Sequence, residues 1–550
     1  MRLKKNVLSL VCVSLVFNFL ISCTQGNRVK SEITADIAIL AGTIVDGTGK
    51  IRYQADIAVK DNRIIYIGNN SLIKAKKIIN AKDLIVSPGF IDGHSHANRK
   101  IEHYEYRLNE SSLTQGISTI VFGADGEFSP ATISDYLVKF TKQGVGTNVA
   151  FYVGHNGIRK DVMGKSQRRE PTSNELMLMK KEVIKGMEMG AVGFSTGLMY
   201  EPGVYSKTDE VIALTSLIEP FGGIYDSHVR DPANALISSD REVITIAQAA
   251  RVAGKIGHLK AVCLHNKGKS ADIVTLVEQA RHNNFNIVSD QYPYDGAKTV
   301  YLETLIKRLP KHKKNYATLD TALLDPEVNS KLQQLSEQGI DGGFSWLKAV
   351  KYSCIRITKS DDFPILVGQY LSQIAADKNI SGFALLTELI INSSQPIQVT
   401  LGGVDEGDVQ IIMKQPWNMI VSDGKYINQK SSLKNHPRST GTFPRILGHY
   451  VRDIKLLSLE QAIKKMTSQP ADFLGLVDRG ILKVGTIADI TIFDAKRITD
   501  RSSYVKPLTY SVGIEHLLVN GKFAIRDSQI TGNAAGEIIR RERPTSAYLN

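Results

Sequence analysis

The chain has 550 residues, 42% of them apolar and 22% charged, with a formal charge of +13. That balance is globular, the length exceeds one ordinary domain, and neither a long low-complexity tract nor a solenoid or propeller repeat is present. No basic cluster interleaves with aromatics, which argues against a nucleic-acid partner and for a solvated surface suited to anionic substrates or lipid headgroups.

The N-terminus reads as a processed leader. Arg2, Lys4 and Lys5 precede an apolar run from Val7 to Ile21 that is broken only by Ser9, Ser14 and Asn18. Such a run is too short and too polar for a comfortable membrane span. It ends in Leu20-Ile-Ser-Cys23, which resembles a bacterial lipobox. The expectation is a signal peptide over 1–22, lipidation of Cys23, and a tether over 23–34 that holds the exported chain to a membrane, at the periplasmic face of the outer membrane or the cell surface. Removing the three basic leader residues from +13 leaves +10. With Cys12 removed and Cys23 lipidated, Cys263 and Cys354 remain; they could form one disulfide, but their spacing does not place them together.

From about residue 35 to 87 short alternating segments such as Asp36-Ile-Ala-Ile-Leu40 and Arg63-Ile-Ile-Tyr-Ile67 are separated by Asp46-Gly47 and Asp61-Asn62, a β-hairpin pattern. Residues 475–545 repeat the style in Gly485-Thr-Ile-Ala-Asp-Ile-Thr-Ile-Phe493 and His516-Leu-Leu-Val-Asn-Gly-Lys522, so both ends are expected to share one small β-sandwich. Between them, over 88–474, apolar runs alternate with helix-like segments. Examples are Ser118–Phe122, Asn148–Val153, Gly190–Phe194, Gly254–Gly257, Asn286–Ser289 and Met419–Ser422. This alternation predicts an α/β fold, a TIM-like (β/α)8 barrel; an open doubly wound sheet fits less well because no Gly-rich phosphate loop follows the first strand. An insert at about 300–410 reads as a mostly helical lid.

Chemistry in such a barrel sits at the C-terminal ends of the strands. Pro88-Gly-Phe-Ile-Asp-Gly-His-Ser-His96 puts two imidazoles at i and i+2, on one side of an extended chain, where they can aim at one metal ion. Asp125, His155, His228, His258, Tyr292, Tyr294 and Asp423 also follow apolar runs directly. Histidines and aspartates gathered on one rim suit a metal-dependent hydrolase.

These stretches resemble the amidohydrolase superfamily, whose first-strand signature is similar to Pro88–His96 and whose return to the small sandwich is similar to Gly480–Asp494. More specifically the chain resembles the D-aminoacylase (N-acyl-D-amino-acid deacylase) family. The resembling stretches are Gly193-Phe-Ser-Thr-Gly-Leu-Met-Tyr200, Ser227-His-Val-Arg-Asp231, Gly257-His-Leu-Lys-Ala261, Asp290-Gln-Tyr-Pro-Tyr294, Ser422-Asp-Gly424 and His436-Pro-Arg-Ser-Thr-Gly-Thr-Phe-Pro-Arg445, in family order from about 35 to 545.

The resemblance implies roles. His94 and His96 would hold one metal position, His228 and His258 the tighter one, with zinc the first choice for this donor set. Asp423 would be the general base that moves a proton from activated water to the leaving amine. Lys260, Tyr292 and Arg438 would clamp the α-carboxylate of an N-acyl-D-amino acid. One position departs: where the family shows Gly-Asn-Cys-Gly, this chain has Gly123-Ala-Asp-Gly126. Asp125 is expected to replace the bridging thiolate as a metal ligand, and a carboxylate is a harder donor. His155 is family-like without an assigned role. The alternatives are another amidohydrolase reaction, on cyclic amides (hydantoinase- or dihydroorotase-like) or dipeptides, and a non-catalytic binding lipoprotein.

Overall fold

A computed structural model describes residues 32–69, 72–307, 318–428, 431 and 435–541. The leader and Cys23 lie outside the described residues. Among the described residues no helix is long and apolar enough to cross a membrane.

The first strands are β1 (Glu32–Ile44), β2 (Tyr53–Lys60), β3 (Arg63–Gly68), β4 (Leu72–Asn80) and β5 (Ile85–Pro88). β-Branched residues such as Ile37, Ile39, Ile57 and Val59 give them their buried positions. The β2–β3 hairpin turns at Asp61-Asn62 with Lys60 opposite Arg63. Asp61 takes the left-handed conformation (φ 53°) that a tight hairpin demands and that aspartate tolerates.

Eight strands then form one parallel sheet: β6 (Phe90–Asp92), β7 (Ile117–Phe122), β8 (Asn148–Gly154), β9 (Gly193–Gly197), β10 (Ile224–His228), β11 (Gly254–Ile256), β12 (Ile287–Gln291) and, beyond the insert, a last short strand. Every residue of β7 and β8 is buried, as expected of parallel strands covered on both faces. The insert is mostly helical as expected, and it also carries a small sheet that the sequence does not announce. Helices such as Pro326–Gln338 and Gly382–Ile391 accompany an antiparallel sheet of β13 (Lys298–Tyr301), β14 (Ile355–Lys359) and β15 (Gln398–Leu401), with β15 in the middle. The insert has its own apolar core around Leu332, Ile355, Leu371, Leu386 and Val399. Its strands pair across up to about a hundred residues, a range over which local sequence patterns carry no information.

The eighth barrel strand is β16 (Asn418–Ile420). It and β6 close the barrel just past their ends: the Asp423 N–H donates to the His94 carbonyl at 3.0 Å, and the His96 N–H donates to the Gly424 carbonyl at 2.8 Å. Ser422 adds its N–H and hydroxyl to the buried Asp92 carboxyl at 2.9 and 2.5 Å. Burial pushes Asp92 up to about 6 despite these bonds. The seam that closes the barrel therefore also sets the His-x-His pair beside Asp423.

After the barrel, β17 (Ile490–Phe493), β18 (Ile514–Val519), β19 (Lys522–Arg526) and β20 (Gln529–Ile530) join the first strands in one nine-stranded sheet. β17 pairs antiparallel with β5, Ile490 opposite Pro88, so the C-terminal return braces the strand that leads into His94. A separate apolar cluster, including Ile39, Val59, Ile490 and Leu518, combines residues from both chain ends.

Candidate metal centre and active site

Five strands of the barrel deliver the cluster at its C-terminal rim. His94 and His96 follow β6, Asp125 follows β7, His228 ends β10, His258 follows β11 and Asp423 follows β16. Three of these residues, Asp125, His258 and Asp423, have positive φ (57°, 36° and 46°). Non-glycine residues take that conformation rarely, and such strain gathers at functional sites. The Asp125 turn is held from β9: the Ser195 hydroxyl donates to the Gly123 carbonyl at 2.5 Å and accepts from the Gly126 N–H at 3.1 Å. A Cβ at Gly197 would lie 2.3 Å from the Asp125 carbonyl oxygen, so only glycine lets the turn approach. The Gly193-Phe-Ser-Thr-Gly197 motif thus positions the Asp125 turn, a role the sequence does not disclose.

Asp125 is the centre. Its Oδ1 lies 3.3 Å from His94 Nε2, 3.5 Å from His228 Nδ1 and 3.6 Å from His258 Nε2, while its Oδ2 lies 3.4 Å from His96 Nε2. Donors bound to one tetrahedral zinc at about 2.0–2.1 Å stand about 3.3–3.4 Å apart. The observed spacings match those edges. Two groups share the aspartate: His94, His96 and Asp125, and Asp125, His228 and His258. His94 Nε2, His228 Nδ1 and Asp125 Oδ1 are buried without a hydrogen-bond partner, which a cation between them would supply. The residues present fit one or two divalent ions.

Electrostatics agree. Burial raises the Asp125 carboxyl, but the His228 imidazole and the other rings outweigh it and hold the group well below the usual carboxylate range. Burial, with the Lys260 ammonium, pushes His258 down to about 3, which keeps it neutral as a ligand must be. Behind the rings Asp290 accepts from the His258 N–H and, at 2.5 Å, from the buried Lys255 ammonium, which also lies 3.3 Å from Asp226. This outer set, missed in the sequence, fixes the backbone that aims His258.

Above the cluster is a cavity of about 290 Å³. Lys260 and Arg438 line it, and both lie against the buried Tyr292 ring, the Lys260 ammonium 5.0 Å from its centroid and the Arg438 guanidinium at 4.6 Å. Lys260 donates to His258 Nδ1 at 2.9 Å. Arg438 donates to the Ala297 carbonyl at 2.9 Å and pairs with Asp423 at 2.6 Å. Burial opposes ionisation of Asp423, but Arg438 and the histidines hold it well below the carboxylate range. Arg438 therefore serves the proposed base as well as the clamp. Asp423 Oδ1 faces His96 Nε2 at 3.3 Å. His155 stands apart: buried, it bonds Glu210 at 2.8 Å, and Glu210 also binds Arg159 at 2.5 Å, a network that ties the end of β8 to the helix Thr208–Thr215.

A parallel eight-stranded barrel with this His and Asp cluster on its rim defines a metal-dependent hydrolase of the amidohydrolase class. A family model described as "Amidohydrolase family" matches residues 407–525. The chain is 31% identical to the N-acyl-D-glutamate deacylase of Alcaligenes xylosoxydans xylosoxydans, over 92% of this chain and 97% of that one. It is 30% identical to the D-aminoacylase of the same organism, over 92% and 98%. It is also similar to the crystal structure of N-acyl-D-glutamate deacylase from Bordetella bronchiseptica complexed with zinc and a phosphonate inhibitor, with TM-score 0.73, 29% identity and coverage of 92% of this chain and 100% of that one. The chain belongs to the D-aminoacylase (N-acyl-D-amino-acid deacylase) family of the amidohydrolases.

If Asp125 joins the two donor groups, Asp125→Ala should lose at least half of the bound metal and most of the turnover, whereas Asp125→Cys should retain both and bind zinc more tightly. Elemental analysis of the purified variants checks this; an Asp125→Ala protein with unchanged metal content and rate contradicts it.

Proposed function

We propose that the protein is a zinc-dependent N-acyl-D-amino-acid deacylase, exported and tethered at a membrane through lipidated Cys23. The observation that carries the catalytic reading is one carboxylate, Asp125, shared by two three-donor groups directly below a carboxylate clamp. The names of its relatives, N-acyl-D-glutamate deacylase and D-aminoacylase, and the zinc in the related crystal structure support it.

The metal, when bound, lowers the pKa of water from about 16 to about 7 and polarises the scissile carbonyl. Asp423, kept ionised by Arg438, accepts the proton of the attacking water and passes it to the leaving nitrogen, so the products are a carboxylic acid and a free D-amino acid. Lys260, Tyr292 and Arg438 hold the α-carboxylate. His258 would help hold the metal; with its Nε2 so engaged the ring proton would sit on Nδ1, which would then no longer accept from Lys260 and would leave that ammonium for the substrate. With the carboxylate and the scissile carbonyl both fixed, the side chain has one open direction, and the L enantiomer would drive it into the wall.

Two observations support export. One is the leader ending in Leu20-Ile-Ser-Cys23. The other is the disulfide between Cys263 and Cys354, with Cα atoms 5.0 Å apart, a bond that persists in oxidising compartments.

N-Acetyl-D-amino acids should be hydrolysed with little action on their L forms, and Asp423→Asn should lower kcat by about 10²–10⁴-fold. Equal rates on both enantiomers, or an Asp423→Asn enzyme of full activity, would contradict this in a chiral amine-release assay. For the anchor, mass spectrometry of the mature protein should find a diacylated Cys23 at the N-terminus; cleavage elsewhere without lipid contradicts it.

A further inference from the structure

The two donor groups that share Asp125 are unequal. On the side of His94 and His96 a second carboxylate adds a donor: Asp423 Oδ1 lies 3.3 Å from His96 Nε2 and 3.9 Å from His94 Nε2, while Arg438 pairs with the other oxygen, Oδ2. With Asp125, that side offers two imidazoles and two carboxylates, enough to close a tetrahedral ion. The other side offers His228 Nδ1 and His258 Nε2, at 3.5 and 3.6 Å from Asp125 Oδ1. His258 is farther from Asp423, within 4.8 Å.

The far nitrogens of the four rings repeat the contrast. A metal-bound imidazole donates its other N–H, and an anionic acceptor there makes it a stronger ligand. His96 Nδ1 faces Glu127 Oε2 at 3.7 Å, while Arg99 takes the other oxygen of that carboxylate at 2.7 Å. His94 Nδ1 faces Asp290 Oδ2 at 4.0 Å, an oxygen that Lys255 also holds. Across the centre, His228 Nε2 faces the Met199 thioether at 3.2 Å, and His258 Nδ1 accepts from the Lys260 ammonium at 2.9 Å. A thioether is a weak acceptor, and an ammonium repels any cation brought near it. Loading this side also costs the Lys260 bond, because His258 must carry its proton on Nδ1 once Nε2 is engaged. Both nitrogens of His94 are without a partner to lose.

We propose that the centre loads in a fixed order. The first divalent ion is held by His94, His96, Asp125 and Asp423, with Glu127 as a positioning residue that orients His96; the second is held by His228, His258 and Asp125. This order is the reverse of the one that the family resemblance implies, and it rests on the metal-dependent reading above. Asp125 is the reason for the reversal. A bridging thiolate adds softness that zinc favours, whereas a carboxylate leaves the number and charge of the donors to decide.

The test strips the full-length protein of metal, returns one equivalent of zinc, and locates it in crystals from anomalous density at the zinc edge. The density should lie between His94 and His96. Density between His228 and His258, or divided equally between the two sides, overturns the order, and this measurement needs no variant to fold. Competition with a chromophoric chelator then gives the affinity for the first equivalent in solution. Glu127→Ala should weaken it by about 10–100-fold. Arg99→Ala, which breaks the ion pair but keeps the carboxylate beside His96, should not weaken it, and neither should Met199→Leu on the other side. An unchanged affinity in Glu127→Ala overturns the role of Glu127, and a first equivalent weakened by Met199→Leu overturns the order. Loading is read without substrate, so the order can fail while the deacylase reading stands; a stripped protein that takes up no zinc brings down the metal-dependent reading and the order together.

Discussion

Four imidazoles from three strands converge on the single carboxylate of Asp125, and the energetics of that convergence organise the rest of the molecule. A buried carboxylate oxygen packed against His94 Nε2 and His228 Nδ1, none of the three with a hydrogen-bond partner, is costly unless a cation sits between them. The barrel makes the arrangement possible because its strands end on one rim while their side chains come from residues up to 330 positions apart, as Asp92 and Ser422 are. The seam between β6 and β16 does two things with the same bonds: it closes the barrel, and it fixes His94, His96 and Asp423 relative to one another. Ser195 then holds the Asp125 turn, and Asp290 with Lys255 holds His258.

The insert walls the cavity above this centre with Trp346, Val350 and Leu401. Its separate core and its three-stranded sheet make it a body in its own right, and the Cys263–Cys354 bridge pins it to the rim loop that follows His258. Lys260 lies on that same loop, so the clamp is braced by both barrel and lid. Arg438 joins the two halves of the chemistry, since one guanidinium stacks on Tyr292 and keeps Asp423 ionised.

Much of this was legible in the sequence, for a physical reason. The i, i+2 spacing of His94 and His96 forces both rings to one side of an extended chain, and each remaining metal-facing residue directly follows an apolar run, which places it at a strand end. The hairpin at Asp61-Asn62 declared itself through turn chemistry. What escaped depends on contacts between residues remote in sequence. The Cys263–Cys354 pairing, the strands of the insert and the Arg438–Asp423 ion pair are of this kind. Ser195 lies inside the Gly193–Tyr200 stretch, yet nothing local distinguishes a serine that holds a turn from one that packs a strand. His155 looked like a rim residue of the site, and only the fold reveals that it faces Glu210.

The central claim is that Asp125 provides the shared oxygen ligands of the metal centre in the place where the family shows a cysteine. The most direct measurement is a crystal structure of the zinc-loaded protein with anomalous data collected at the zinc edge. The account predicts anomalous density between Asp125 and the rings of His94, His96, His228 and His258, with an Asp125 oxygen at about 2.0–2.2 Å from the metal. Zinc bound by the histidines while the Asp125 carboxylate points away from it would contradict the account.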